Sequence, residues 1–185
     1  MSVPLGHLAD LHPRLIIPYT RIAPGVREAL AMTGWSWDEV FVGHDDSAYF
    51  SLLADLWAAR ESFIILEHDV ILRPDSLDLL WSCSCAWGGY AVPYVGSYYH
   101  GLACVKFTAE LIAKIPDALA QVAAMDGDDH PAKHWCRLDA RLQAHVLPRS
   151  GIQRHPHEPP LGHFRADGES PWPSHGCIKP WPAAG

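Results

Sequence analysis

The feature that most constrains this chain is a short apolar run, Ser62-Phe63-Ile64-Ile65-Leu66, that stops abruptly at Glu67-His68-Asp69. Four consecutive apolar residues leave no polar face, so a strand built from them has to be covered on both sides. Arg14-Leu15-Ile16-Ile17-Pro18-Tyr19 has the same character, and Glu39-Val40-Phe41-Val42-Gly43 is a second strand between them. Helical stretches separate the three. Pro24-Gly25 opens one over Val26 to Met32, which Gly34 stops. Asp45, Asp46 and Ser47 offer N-cap chemistry for another through Ala48–Arg60, where Phe50, Leu53, Leu56 and Trp57 recur at helical spacing. Pro74-Asp75-Ser76 begins a third, ending near Trp81. Three successive β–α units predict an α/β domain with a mostly parallel central sheet and helices on its faces. Such sheets take ligands at the carboxyl ends of their strands, where Glu67-His68-Asp69 falls.

The second half is less regular. Tyr90–Tyr94 and Ala103–Phe107 read as strands separated by a polar aromatic loop, Gly96 to Gly101. Thr108 can cap a helix through Ile115 that Pro116 interrupts, 126–129 reads as a loop, and Lys133 to His145 as one more helix. Half of the 16 prolines lie from Pro148 onward. The expected organisation is one compact domain over 1–147, with 148–185 a Pro/His-rich segment draped over it rather than an independent unit.

Composition narrows the classes. With 185 residues the chain can build one sizeable core, and 49% apolar with 19% charged residues is a globular balance. No apolar run is long enough to span a bilayer, and Met1 to Leu11 lacks a signal-peptide pattern, so a cytoplasmic protein is expected. Fourteen bases against 21 acids give a net charge of −7, which argues against holding nucleic acid by bulk electrostatics. The five cysteines have no zinc-ribbon spacing, and Cys83-Ser84-Cys85, in a Trp-flanked apolar stretch, reads as core. The 12 histidines are scattered, so position rather than number has to decide their roles.

In extended chain, Glu67 and Asp69 project to one side and His68 to the other. Two carboxylates facing one point suit a hard divalent cation, while acids at strand ends also serve simply to meet solvent or cap a turn. The order of elements, ending in Phe63 to Val70, resembles the nucleotide-binding half of glycosyltransferases with the GT-A fold. That resemblance implies a single GT-A-like (Rossmann-like) domain. It also implies an Asp-X-Asp-type motif at Glu67-His68-Asp69, holding Mn²⁺ or Mg²⁺ against a nucleotide-sugar diphosphate, UDP-sugar favoured. Glu67 departs from the motif in reach but keeps its carboxylate.

Further residues follow from the same resemblance. Pro18, Tyr19, Thr20 and Arg21 stand where the first strand meets the nucleoside, and Asp45 and Asp46 where a carboxylate meets base or ribose. Tyr98, Tyr99, His100 and Gly101 precede the strand beneath the acceptor. Asp139 stands at the catalytic acid position of inverting members, as the general base; pairing with Arg137 or Arg141 is its alternative. A later histidine completes the metal set, with His163 preferred, His175 as alternative, and His155 and His157 further choices. The implied reaction moves a sugar to an acceptor hydroxyl, on a saccharide or on a hydroxymethylated base of phage-type DNA. A metal-dependent phosphoesterase or hydrolase, using Asp69, His68 and tail histidines, and a non-catalytic binding module are the competing classes.

Overall fold

A computed structural model describes residues 12–94, 97–125 and 131–164. In chain order the elements begin β1 (Arg14–Tyr19), α1 (Val26–Thr33), β2 (Asp38–Phe41), α2 (Ala48–Ala59), β3 (Phe63–Leu66), β4 (Val70–Ile71) and α3 (Ser76–Ser82). They continue β5 (Trp87–Tyr90), β6 (Val92–Tyr94), β7 (Ser97–Tyr99), β8 (Cys104–Phe107), α4 (Ala109–Lys114), α5 (Ala118–Ala123) and α6 (Trp135–Asp139). A π-helical stretch, Ala140–Val146, and a 3-10 turn, Leu147–Ser150, lead to β9 (His155–His157) and β10 (Gly162–His163).

Six strands form the main sheet in the order β2-β1-β3-β8-β5-β9. The pairs β1·β2, β1·β3 and β5·β9 are parallel, and β8 runs antiparallel to both β3 and β5. Five strands therefore share one direction and β8 opposes them. The fold is α/β, with a mostly parallel central sheet flanked by helices, as the β–α alternation predicts.

Strand alternation divides the core in two. Ile16, Phe63, Ile65, Val105 and Phe107 point to the face covered by α2, α4, α5 and the α6 region. Leu15, Ile17, Ile64, Leu66 and Cys104 point to the other, under α1 and α3. On the first face the Trp57 ring meets Phe63 and Phe107 edge-on, at 6.3 and 5.6 Å between centroids. Its indole nitrogen donates to the Ile115 carbonyl at 3.0 Å. Each such side chain contributes about 1.5–3 kcal/mol by leaving water. Local signals set the boundaries: Gly34 ends α1 at φ 73, a left-handed conformation that costs glycine little, and Thr108 caps α4 by accepting from the Leu111 amide.

Three local expectations change. The single strand expected over Tyr90–Tyr94 is two, because Ala91 turns its carbonyl to the Leu161 amide and β6 leaves the main sheet to pair with β7. Ser97–Tyr99, read as loop, is that partner strand. The helix expected over Lys133–His145 widens to π-helical form at Ala140. Beyond Pro148, β9 adds to the edge of the main sheet and β10 pairs with β4.

Candidate functional site

At the carboxyl edge of β3 the chain turns rather than continuing extended. The Val70 amide bonds back to the Glu67 carbonyl at 3.2 Å, and the Glu67 amide bonds to Ala103 at 2.8 Å. The Asp69 carbonyl accepts from Phe164 at 2.8 Å, and His163 stands opposite Val70 in the β4–β10 ladder. Backbone pairing thus seats His163 beside Asp69, with its Nε2 3.2 Å from Asp69 Oδ2. Its Nδ1 lies 2.9 Å from the Pro93 carbonyl, which can only accept, so the proton belongs on Nδ1. Its Nε2 faces the Asp69 carboxylate. The other carboxylate oxygen, Asp69 Oδ1, is shielded from solvent without a hydrogen-bond partner among the described residues.

Asp139 arrives from the end of α6. Its Oδ2 accepts the Leu102 amide at 3.1 Å, Oδ1 accepts from the Gln143 side-chain amide one helical turn on, and the Tyr99 hydroxyl also donates to it. Gly101 permits this approach, since a Cβ there would collide with Asp139 Oδ2 and the Tyr99 ring. Three hydrogen bonds leave a carboxylate one of about four acceptor positions. Arg154 borders the same place, donating to the His100 carbonyl, to Gln143 Oε1 at 2.9 Å and to the Gly101 carbonyl at 3.1 Å. Tyr99, His100, Asp139, Gln143 and Arg154 line a cleft of about 310 Å³ whose wall includes Trp87. The Trp87 indole nitrogen and Arg154 Nε are buried without a partner among the described residues.

These groups feel one another. Burial pushes the Glu67 carboxyl well above its usual range, the charges of Asp139 and Asp69 push it further, and the Tyr49 hydroxyl, donating at 3.4 Å, opposes them. Asp139 is raised by burial, against the pull of its hydrogen bonds and of Arg154. The Tyr99 hydroxyl is pushed far up by burial and by Asp139. Like charges crowded in a poorly solvated site call for a proton or a cation, and such perturbed groups concentrate at functional sites.

Asp69 and His163 supply two donors of the kind a hard divalent cation takes, and among the described residues no third carboxylate, thiol or imidazole gathers within 4.8 Å of both. Octahedral bonds of about 2.1 Å place neighbouring ligand atoms roughly 3 Å apart, close to the separation of His163 Nε2 and Asp69 Oδ2. A cation beside Asp69 would satisfy its shielded oxygen, which has no partner among the described residues.

The other sequence-selected residues are dispersed around this centre. His68 turns away, its Nδ1 3.2 Å from the Pro18 carbonyl, which ties the turn to the end of β1. The Tyr19 ring meets Phe41 edge-on, and the Tyr19 carbonyl accepts from Val42. Thr20 and Arg21 continue that edge. Asp45 binds the Ser47 amide and hydroxyl, both at 2.7 Å, which is turn chemistry ahead of α2. Asp46 faces His134 at 3.5 Å, and its carbonyl accepts the Trp135 amide. Tyr98 and Tyr99 are exposed on β7, and burial lowers the His100 pKa. His175 lies outside the described residues. His155 and His157 stand on β9, away from Asp69. Tyr49 and Gln143 escaped the sequence reading, because nothing local distinguishes them; long-range packing brings them, with Arg154, to the carboxylates.

No family model matches the chain, and no curated protein matches it in sequence. Among solved structures, A197 from STIV superposes with a TM-score of 0.54 at 9% identity, over 85% of this chain and 87% of that one. A glycosyltransferase involved in the glycosylation of the major capsid of PBCV-1 gives 0.48 at 12% identity, over 80% and 83%. A Bacillus anthracis protein assigned as a glucose-1-phosphate thymidylyltransferase, solved with sucrose, gives 0.47 at 10%, over 87% and 73%. At these identities the likeness to A197 speaks for the fold alone.

Proposed function

We propose that this chain is a metal-dependent glycosyltransferase that moves a sugar from a nucleotide-diphosphate sugar, UDP-sugar favoured, to an acceptor hydroxyl. The observation that carries the reading is the convergence of Glu67, Asp69, Asp139 and His163 at the carboxyl edge of the sheet, with Asp69 Oδ1 unpartnered and His163 Nε2 facing Oδ2. Asp69 and His163 would hold Mn²⁺ or Mg²⁺, with Glu67 acting through a water. When bound, that cation neutralises charge on the diphosphate leaving group as a Lewis acid.

The remaining work falls to the chain. Asp139 keeps one acceptor position toward the cleft and has a raised pKa, which suits a base that takes the proton of an attacking hydroxyl. The Leu102 amide and Gln143 fix its orientation, so inversion at the anomeric carbon is the expected outcome. A saccharide acceptor is favoured over a hydroxymethylated DNA base, because three of the arginines toward the C-terminus are engaged within the fold. Arg141 is buried on the Pro131 carbonyl, Arg149 binds Gln121, and Arg154 binds the His100 and Gly101 carbonyls.

Calorimetric titration of UDP, with and without Mn²⁺, tests the donor site. Heat that requires Mn²⁺ and disappears in Asp69→Asn is the expected result. Failure of UDP, GDP, CMP and dTDP alike to bind would overturn the transferase. Nucleotide monophosphate or phosphate release at full rate without any acceptor would replace it with a phosphoesterase.

A further inference from the structure

On the opposite face of β5 from Arg154 lies a second group of ligating side chains that the transferase reading does not use. The Cys83 sulfur and a ring nitrogen from each of His155 and His157 all lie within 4.8 Å of one another. Cys85 Sγ is 3.8 Å from His157 Nε2, and both cysteines are free thiols. The two histidines alternate along β9, so both rings fall on one face of the sheet, with centroids 4.9 Å apart. Space for them comes from Gly88, paired with His155. A Cβ there would stand 2.6 Å from Cys85 Sγ and 3.1 Å from His157 Nε2.

We propose that Cys83, Cys85, His155 and His157 form a binding site for a borderline-soft transition-metal cation of the Zn²⁺ class, distinct from the carboxylate site. Two sulfurs and two imidazole nitrogens are the donor types that a tetrahedral structural zinc takes. Bonds of about 2.3 Å to sulfur and about 2.0–2.1 Å to nitrogen put neighbouring donors roughly 3.3–3.8 Å apart, so Cys83, His155 and His157 have to close by up to about 1.5 Å, while Cys85 Sγ already stands 3.8 Å from His157 Nε2.

The surroundings favour the ligating forms of His157 and Cys83. His157 is pushed down to about 4, by burial and by the neighbouring His155 and Lys106, so its ring is neutral at physiological pH. Burial opposes ionisation of Cys83, but hydrogen bonds from the Cys85 thiol and amide, and the Lys106 ammonium, hold its pKa below the usual thiol value. Lys106 is buried, donates to the Cys83 carbonyl at 2.6 Å and also hydrogen-bonds Cys85. Burial and Cys83 raise the Cys85 thiol to about 11, so its proton leaves as the cation enters. A dication with two thiolates and two neutral imidazoles has no net charge, which lets a buried ammonium remain beside it. Bound there, the metal ties β9 to the segment ahead of β5.

The test uses the reduced, chelator-treated full chain titrated with Co²⁺. Near-ultraviolet thiolate-to-cobalt charge-transfer bands with strong visible absorption of a tetrahedral centre, at one equivalent and displaced by Zn²⁺, are expected. Cys83→Ser with Cys85→Ser should abolish those bands, His155→Ala with His157→Ala should weaken binding at least tenfold, and Asp69→Asn should leave the bands unchanged. Absence of thiolate bands in the parent chain, or their persistence in the double-serine variant, overturns the proposal. Should the variants fail to fold, alkylation of the parent chain decides. Zn²⁺ slowing modification of Cys83 and Cys85 at least tenfold by peptide mapping supports the site, and equal rates with and without Zn²⁺ refute it.

Discussion

At the scale of single residues, the carboxylate centre stands on a few commitments that can be broken one at a time. Asp139 is held by the Leu102 amide, Gln143 and Tyr99, and its raised pKa moves the acid limb of activity upward from where an ordinary aspartate would put it. Activity should rise with pH through that limb and then level, since the base works ionised. Asp139→Asn should lower kcat by about 10²–10⁴ and leave Mn²⁺–UDP affinity within about twofold. Glu67 gives a stability readout independent of turnover. Its carboxyl is raised in the folded state, so the native protein binds more protons than the unfolded chain between the ordinary carboxylate pKa and the raised one. Stability of the metal-free protein should therefore fall as pH rises through that window and recover when Mn²⁺ is added. Glu67→Gln removes the crowded charge and should raise the metal-free melting temperature at pH 7.5 by a few degrees, where about 2–4 °C corresponds to 1 kcal/mol for a chain of this size. An unchanged or lowered melting temperature would show that burial is not straining that carboxyl.

At the scale of elements, what could be read in advance follows where the information resides. β1, β3, β8 and α2 carry their own signatures: apolar runs or helical spacing, with caps and glycines at the ends. β9 and β10 do not. His155-Pro156-His157 and Gly162-His163 have poor strand character and become strands only because β5 and β4 offer open ladders. Site residues divide the same way. Glu67 and Asp69 are visible because they interrupt the strongest strand, whereas Asp139 is picked out only by the family resemblance and stands at the end of α6. Arg154, Gln143 and Tyr49 gain their places from chains folded together across long sequence distances, which no local pattern reports. The β7–β8 connection shows the consequence. Gly101→Ala leaves every strand signal intact yet forces a methyl against Asp139. Steady-state kinetics should show a kcat loss approaching that of Asp139→Asn, with nucleotide affinity retained. Full activity in that variant would remove Asp139 from the reaction.

For the whole molecule, the segment from Ile152 to Phe164 matters most, since it delivers Arg154 to one side of the sheet and His163 to the carboxyl edge. Arg73 holds it from a distance of more than 80 residues. Its Nη1 donates to the Pro159 carbonyl at 2.8 Å, and its guanidinium lies 5.5 Å from the Tyr90 ring centroid. Arg73→Ala should therefore weaken Mn²⁺-dependent UDP binding severalfold, through His163 rather than through any contact of its own. Arg73→Lys, lacking the planar fork, should restore little of it. Equal affinity in Arg73→Ala and the parent chain would show that β10 is seated without that clasp.

Gly88 and Gly89 make β5 a partition with a hollow on each side. One hollow admits Cys85 and His157; the other admits Arg154, whose Nη2 would meet a Cβ on Gly89 at 2.7 Å. Adjacent codons should thus fail for unrelated reasons. In a saturation screen scored separately for turnover and for resistance to thiol-directed labelling, position 88 should drop out of the second assay and position 89 out of the first.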